Sequence, residues 1–270
     1  MATPEYQVYA LRYATVARRP QENFIVTDPH DGPGSMDYFV WAIVGDNETI
    51  VVDTGFTAAA AERRQRNWLR CPTDALRTLG IDAQAVKDVI ITHLHYDHAG
   101  NLDKFPAARF HLQQAELVFA TGPCMCEPFL RHAYDVEDVV QMVRNVYAGR
   151  VTFHDGDVEL RPGISLHRIG GHTDGLQAVR VRTQRGWVVL ASDAAHYAAN
   201  YKRRSPFPIV YHVGDMLRGF DKMRSLADSD AHVIPGHDPM VLQSYPVWPA
   251  GQAEIVAVHA APMADGMFLA

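Results

Sequence analysis

Short runs of hydrophobic residues, rich in aromatic and β-branched side chains, recur along the chain and are separated by polar segments. Runs of this length and composition are typical of β-strands. We predict strands at residues 8–13, 38–44, 49–53, 89–92, 109–112, 151–153, 158–160, 164–169, 176–181, 187–191 and 232–234. Asp46 and Asn47 favour a turn between the second and third runs, so these two strands are expected to form a hairpin.

Longer stretches, rich in alanine or with apolar residues at helical spacing, predict helices between these runs. We expect helices at residues 58–69, after an N-cap at Thr73, at 113–120, within 121–150, and at 214–226 with Asp215 as the cap. Within 121–150, apolar residues from Val136 to Tyr147 form one helical face. The tail after Trp248 is rich in alanine and glycine and is expected to be loosely packed.

The strands and helices follow one another in two halves rather than in strict alternation. This order favours an α+β fold in which two sheets pack together with helices outside, over a doubly wound parallel sheet. We expect residues 1–270 to form a single domain, in which 121–150 is a helical insertion.

Composition narrows the class of protein. Of 270 residues 47% are hydrophobic and 21% charged, which excludes a disordered chain. The net charge of −6 gives no electrostatic footprint for nucleic acid. No apolar run approaches the ~18 residues that cross a bilayer, and the N-terminus lacks the pattern of a signal peptide, so a cytoplasmic protein that binds no membrane is expected. Three cysteines are too few for a disulfide framework, whereas 14 histidines prompt a search for metal ligands.

The strongest motif is His93-Leu-His95-Tyr-Asp97-His98, directly after a predicted strand. Imidazole and carboxylate groups suit borderline first-row cations, zinc above all. In an extended turn His93 and His95 point to the same side and can share one ion. Asp97 and His98 begin a helical turn and can face a second ion nearby.

Three later strands end at further candidate ligands, His172, Asp193 and His237. Gly171 and Gly236 precede the two histidines and allow the backbone to turn sharply and approach closely. Together with the motif, the chain offers seven donors: His93, His95, Asp97, His98, His172, Asp193 and His237. By contrast, Cys124 and Cys126 have no second cysteine pair, so a separate zinc site there is not expected.

The succession H-x-H-x-D-H, G-H, D, G-H resembles the metallo-β-lactamase superfamily of dinuclear metal hydrolases, over residues 6 to 240. Asp53-Thr54-Gly55 resembles an early turn of that superfamily. The resemblance implies an αββα sandwich of two mixed sheets with outer helices and two divalent metal ions at one end, with Zn²⁺ expected. It implies that His93, His95 and His172 hold the first ion, that Asp97, His98 and His237 hold the second, and that Asp193 bridges them. Asp53 would orient a ligand.

Within the superfamily, the pair His237-Asp238, the loop from Ser192 to Tyr197 and the opening Tyr9-Ala10-Leu11 resemble the N-acyl-homoserine lactonase branch. Residue 193 is Asp rather than the Cys of many zinc β-lactamases, and His95 stands where diiron oxygen-reducing members have Glu. The chain departs from this branch at one position. Quorum-quenching lactonases have Tyr three residues after the bridging Asp, where this chain has His196, followed by Tyr197.

The resemblance therefore implies a hydrolase that opens a lactone ring by attack of a metal-bridging hydroxide. His196 or Tyr197 would donate a hydrogen bond to the substrate carbonyl, and Asp97 would protonate the leaving alkoxide. The insertion 121–150 and the loop 197–211 would supply an apolar wall near the substrate pocket. The candidate wall residues are Phe129, Phe207 and Tyr211, and Arg203 and Arg204 are weaker candidates to meet a carboxylate.

The sequence is also compatible with other functions. A thioesterase of the glyoxalase II kind, an aryl-ester hydrolase or a phosphodiesterase could use the same site. A non-catalytic metal-binding sensor is disfavoured, because all seven donors are intact. The expected partner is a small-molecule lactone or ester, and the sequence leaves a homodimer open.

Overall fold

The computed structural model describes residues 3–28, 30–31 and 34–263. Its strands are β1 (Gln7–Arg18), β2 (Gly34–Val44), β3 (Thr49–Val52), β4 (Asn67–Trp68), β5 (Asp88–Ile90), β6 (Arg109–Gln113), β7 (Val151–His154), β8 (Val158–Arg161), β9 (Ile164–Arg168), β10 (Gln177–Thr183), β11 (Gly186–Ser192), β12 (Val233–Pro235) and β13 (Ile255–Ala257). Its α-helices are α1 (Ala58–Arg63), α2 (Pro72–Thr78), α3 (Tyr96–Ala99), α4 (Gln114–Thr121), α5 (Pro128–Arg131), α6 (Val136–Tyr147), α7 (Ala198–Lys202), α8 (Val213–Leu226) and α9 (Met240–Ser244).

The strands form two mixed sheets. The larger has the order β13-β1-β2-β3-β5-β6-β7, with β4 paired to β1, and the smaller has the order β12-β11-β10-β9-β8. In the larger sheet β3, β5, β6 and β7 run parallel, and in the smaller only β11 and β12 do. The predicted hairpin is confirmed, because β2 and β3 pair antiparallel with Trp41 opposite Val52.

Alternation along β1 explains how the layers pack, since successive side chains of a strand point to opposite faces. Val8 and Ala10 belong to a core cluster that also contains Leu166 and Val179 of the smaller sheet. Tyr9, Leu11 and Tyr13 belong to the second cluster, with residues of α1, α2, α4 and α6. Because α8 packs its Met216, Phe220 and Met223 into the first cluster, helices cover both outer faces. The expected α+β, αββα architecture is confirmed.

Several predicted boundaries were wrong. The helix predicted for 58–69 ends at Arg63, because Gln65 adopts a left-handed backbone conformation (φ 54°) and residues 67 and 68 pair with β1 instead. The N-cap of α2 is Cys71 rather than Thr73, since Pro72 occupies the first helical turn. The N-cap of α8 is His212 rather than Asp215, whose backbone N–H donates to the His212 side chain.

Two further expectations about packing need correction. The predicted apolar face of α6 is only partly buried: Val139 and Met142 are buried, whereas Val136 and Tyr147 are exposed. The tail after Trp248 was expected to be loosely packed, but residues 255 to 258 are buried beside β1. Within this segment, β13 pairs with the edge of β1.

The chain's candidate ligands gather where strands of both sheets end. The motif 93–98 follows β5, His172 lies between β9 and β10, Asp193 follows β11, and His237 follows β12. None of the helices within the described residues is both long and apolar enough to cross a lipid bilayer.

Candidate metal centre

The motif between β5 and α3 folds back into the protein interior. His93 is part of the loop, His95 is the N-cap of the short helix α3, and Asp97 and His98 lie within that helix. All four side chains are buried. The predicted geometry, an extended turn followed by a helical turn, is therefore the geometry that forms.

Four donors form the first ligand group: His93, His95, His172 and Asp193, whose ligand atoms lie within 4.8 Å of one another. His95 Nδ1 lies 3.0 Å from His93 Nε2 and 2.9 Å from His172 Nε2. Asp193 Oδ2 lies 3.1 Å from His172 Nε2. Three imidazole nitrogens thus converge with one carboxylate oxygen.

Three donors form the second ligand group: Asp97, His98 and His237, also within 4.8 Å. Asp97 Oδ2 lies 3.8 Å from Nε2 of both His98 and His237. Asp193 reaches this group with its other oxygen, because Oδ1 lies 2.9 Å from His237 Nε2 and 3.3 Å from His98 Nε2. One carboxylate therefore faces both groups, one oxygen to each.

Contacts behind the ligands fix their ring orientation. His98 Nδ1 donates to Asp53 Oδ2 at 2.7 Å, as predicted for Asp53, and this carboxylate also accepts from Thr92. His172 Nδ1 donates to the carbonyl oxygen of Ile209 at 2.6 Å, and His237 Nδ1 to that of Asp37 at 2.8 Å. Donation from Nδ1 leaves Nε2 as the nitrogen that faces the ligand groups in all three rings, and in the neutral form of a ring this nitrogen carries a lone pair.

Strained or crowded backbone brings these loops together. Asp53 and Ser192 adopt left-handed conformations (φ 62° and 47°), which are uncommon for non-glycine residues. A Cβ at Gly236 would lie 2.6 Å from the carbonyl oxygen of Ser192, so only glycine lets His237 approach the loop of Asp193 this closely.

Electrostatics keep two of the ligands in the form that binds a cation. Burial, reinforced by the neighbouring imidazoles, lowers the pKa of His93 and His95 well below the usual value, so both rings are neutral at pH 7. The pKa of His98 shifts in the opposite direction. Burial lowers it, but the nearby carboxylates of Asp193 and Asp53 have the larger effect, so the pKa of His98 is raised overall.

The donor set fits divalent cations. His98 Nε2 is buried without a hydrogen-bond partner among the described residues, and such an atom is costly unless a ligand satisfies it. Neutral imidazole nitrogens with carboxylate oxygens are the ligands that zinc prefers. All seven donors predicted from the sequence lie in the two ligand groups.

A glutamate that sequence reasoning missed ties the ligand loops together. Glu116 of α4 is fully buried and accepts hydrogen bonds from Leu94 N and Thr173 Oγ1, on the loops of His95 and His172. It also accepts from Gly175 N and from Tyr134, whose ring packs edge-on against His95. No local motif marks this glutamate, since its partners come from three distant segments.

The ligand groups open into a cavity of about 150 Å³. Its lining includes His95, Asp97, His172, Asp193, His196, Tyr38, Tyr96, Met36, Phe207, Ile209, Arg18, Arg64, Arg66, His132 and Ala133. Segment 121–150, predicted to lie near the pocket, supplies His132 and Ala133. Asp193 and its neighbour three residues later, His196, both line this cavity.

The predicted substrate-contact residues lie in different surroundings. His196 stacks on Phe207 with ring centroids 3.7 Å apart, its Nε2 lies 3.0 Å from Asp193 Oδ2, and its Nδ1 is buried without a partner among the described residues. The Tyr197 hydroxyl donates to the carbonyl oxygen of Ser35 at 3.1 Å, and Tyr197 is not among the lining residues of the cavity.

The remaining candidates lie outside this cavity. Phe129 is exposed, and Tyr211 is partly exposed and packs on Phe119. Arg203 pairs with Asp31 at 2.8 Å and Arg204 with Asp221 at 2.7 Å, so both guanidinium groups already have a carboxylate partner. Only Phe207, of the three predicted aromatic wall residues, faces the ligand groups.

The fold is a two-sheet sandwich with outer helices, and its strand ends bring together two groups of histidine and aspartate donors. These features define a class of metal-binding α+β proteins. The chain belongs to the metallo-beta-lactamase superfamily, whose family model matches residues 34–237. The match includes all seven donors.

Comparison with individual proteins gives more specific similarities. The N-acyl homoserine lactonase AttM of Azorhizobium caulinodans is 26% identical over 225 residues, which are 82% of this chain and 76% of AttM. The N-acyl homoserine lactonase AiiB of Agrobacterium fabrum is 33% identical over 179 residues, 61% of each protein, so less than two thirds of that relative is matched. A solved N-acyl homoserine lactone hydrolase, with the product N-hexanoyl-L-homoserine bound at its catalytic metal centre, has a TM-score of 0.76 at 20% identity and covers 92% of this chain and 99% of its own.

Proposed function

We propose that this protein is a divalent-metal-dependent hydrolase that opens the ring of an N-acyl homoserine lactone or a related lactone. The observation that supports this most directly is the position of Asp193, whose two oxygens face two separate groups of donors. The similarity to AttM and AiiB, both N-acyl homoserine lactonases, favours a lactone over other esters.

We assign His93, His95 and His172 to one cation and Asp97, His98 and His237 to the other, with Asp193 shared between them. Zn²⁺ is the metal we propose, from the nitrogen and carboxylate donors. When bound, the cations supply a water molecule that loses its proton near neutral pH and polarise the carbonyl group of the substrate.

The chain's own residues handle the proton and the carbonyl oxygen. Asp97 lines the cavity and is the carboxylate placed to hold a proton and pass it to the alkoxide oxygen that leaves. Because a lactone is cyclic, that oxygen stays attached and the product is a hydroxy acid.

Tyr38 is the hydroxyl we assign to the substrate carbonyl. Arg66 Nε donates to the Tyr96 hydroxyl at 3.0 Å, and that hydroxyl donates to Tyr38 Oη at 3.3 Å. The Tyr38 proton is then left for an acceptor in the cavity, and burial raises the pKa of Tyr38 well above its usual value, so the proton is retained. The Tyr197 hydroxyl already donates to the carbonyl oxygen of Ser35, and the protonated nitrogen of His196 faces Asp193. Neither side chain is therefore placed as well as Tyr38 to donate to the substrate carbonyl.

A substrate panel tests the proposal. Purified protein loaded with Zn²⁺ is assayed with lactones, a thioester, an aryl ester and a phosphodiester in a pH-indicator assay, and the metal content is measured by elemental analysis. We expect about two metal ions per chain and a kcat/KM for a lactone at least about tenfold above the other classes. Faster turnover of the thioester or the phosphodiester would replace lactone opening with that reaction.

A further inference from the structure

The cavity above the ligand groups has an unusual charge. Three arginines, Arg18, Arg64 and Arg66, line it, and the only carboxylates in its described lining are Asp97 and Asp193. Both carboxylates belong to the ligand groups and would be neutralised by bound cations. The part of the cavity left for a substrate is therefore positively charged, although a neutral acyl chain would favour an apolar wall.

Two of the three arginines are already engaged by the protein. Arg64 pairs with Asp135 at 2.8 Å and donates to the carbonyl oxygens of His132 and Tyr134. Arg18 donates to Asn23 and to the carbonyl oxygen of Glu22, whose carboxylate lies 3.8 Å away. These guanidinium groups hold the rim of the cavity and have counter-charges of their own.

Arg66 differs from both. Within the described residues its only side-chain hydrogen bond is from Nε to the Tyr96 hydroxyl, and no carboxylate lies within ion-pair distance. Burial raises the pKa of Tyr96 to about 12, so that hydroxyl is neutral at pH 7 and does not compensate the arginine. The side chain is only partly exposed to water. Its two terminal nitrogens remain available to a ligand in the cavity.

A guanidinium group with both terminal nitrogens available matches the two oxygens of a carboxylate. The size of the cavity is a second constraint: at 150 Å³ it accepts a group of about the volume of one six-membered ring. We propose that Arg66 binds a carboxylate of the substrate, so that this protein prefers a small lactone that bears a carboxylate to the neutral lactone of the same shape. This rests on the proposed lactone-opening function and names its substrate class.

The test compares two lactones of nearly equal shape, 5-oxotetrahydrofuran-2-carboxylate and its neutral carboxamide, with the metal-loaded protein. We expect kcat/KM for the carboxylate to exceed that for the carboxamide by about tenfold or more, the usual effect of a charged hydrogen bond. Arg66→Gln retains an N–H donor for Tyr96 and should bring the ratio close to one, chiefly by raising KM for the carboxylate. Arg66→Lys keeps the charge and should restore part of the preference.

Arg77→Gln is the matched control, since Arg77 is an exposed arginine that pairs with Asp74 and does not line the cavity. It should leave the ratio unchanged. The proposal is overturned if the wild-type protein shows no preference for the carboxylate, or if Arg66→Gln slows both substrates equally. Opening of the carboxamide with no charge preference would leave the lactonase function standing without this inference.

A binding experiment tests the proposal even if the protein opens neither lactone. Titration calorimetry with cyclopentanecarboxylate and cyclopentanecarboxamide reports the same charge preference without a scissile bond. Tighter binding of the carboxylate that is lost in Arg66→Gln supports the carboxylate site even where lactone opening fails. Carboxylate binding that survives Arg66→Gln assigns it to the metal ions and overturns the proposal.

Discussion

Two groups of histidines in this protein, buried or half-buried, differ in what their ring nitrogens contact. In the candidate metal centre, His98, His172 and His237 each donate from Nδ1 to an oxygen behind them and turn Nε2 toward the other donors. In the edge pair, His111 on β6 and His154 on β7, both nitrogens of His111 are occupied, by His154 at 3.2 Å and by Asp88 at 2.8 Å.

The difference shows why a buried histidine beside an aspartate is not by itself a ligand. Among the residues that the structure describes, no group of donor atoms that could hold a metal ion contains His111 or His154. In the candidate metal centre, acceptors behind the rings bind Nδ1 and leave Nε2 facing the other donors, whereas the edge pair uses its nitrogens to join neighbouring strands.

Asp193→Asn should have the largest effect. It removes the negative charge that both ligand groups share, so we expect the metal content to fall well below that of the wild type and kcat/KM to drop by about 1000-fold or more. Elemental analysis and lactone turnover measure the two effects. Asp88→Asn, the corresponding change beside the edge pair, should leave both values within about twofold, since surface and structural charges contribute little to the site. Equal metal loss in the two variants would contradict the distinction.

Glu116→Ala tests the contacts behind the ligand loops. The change leaves the N–H groups of Leu94 and Gly175 and the hydroxyl of Thr173 buried without their acceptor. We expect the free energy of unfolding, measured in urea, to fall by about 3 kcal/mol, with weaker metal retention during dialysis. Glu62→Ala, at an exposed position of α1, serves as the control and should change neither quantity. A stable variant with full metal content would show that Glu116 does not position the loops.

Tyr38→Phe tests which hydroxyl serves the substrate. Loss of one hydrogen-bond donor to a developing oxyanion typically lowers kcat about 100-fold, and we expect a loss of this order with unchanged metal content. Tyr197→Phe is the control, because its hydroxyl donates to the backbone of Ser35, and it should retain most activity. A larger loss in Tyr197→Phe than in Tyr38→Phe would reverse our assignment.

The convergence of the seven candidate ligands could be predicted from the sequence because each follows a short buried strand, and strand ends in adjacent sheets meet at one edge. The spacing within 93–98 also fixes which side chains share a face. By contrast, Glu116, Tyr38 and Arg66 lie in segments without a local motif, and only the packing of distant segments gives them their roles.

Arg66 shows most clearly why some site residues could not be predicted from the sequence. Alanine-rich composition predicts a helix through it, but the backbone turns at Gln65 and the chain then pairs with β1, which leaves Arg66 beside the cavity. Similarly, β13 has no strong local signal, and its burial depends on the free edge of β1. Both positions are determined by tertiary pairing, which overrides local propensity.

The smallest expected effect is the loss of folding stability at the edge pair, His111 and His154, when the pH is lowered. Burial, and for His154 the neighbouring ring as well, lowers the pKa of His111 and His154. In the unfolded chain histidine titrates near 6.5, so the unfolded state takes up protons first as the pH falls, and the pair's contribution to stability is lost below about pH 6.5. His154→Gln should therefore lose less stability than the wild type between pH 7.5 and 5.5, by roughly 0.5 kcal/mol, since the ring is partly exposed and screened.

Urea unfolding at the two pH values measures this difference, and the titration of the candidate metal ligands cancels because it is common to both proteins. His30→Gln, at an exposed histidine, should follow the wild type. If His154→Gln loses as much stability on acidification as the wild type, the edge pair is not the acid-sensitive contact that its geometry indicates.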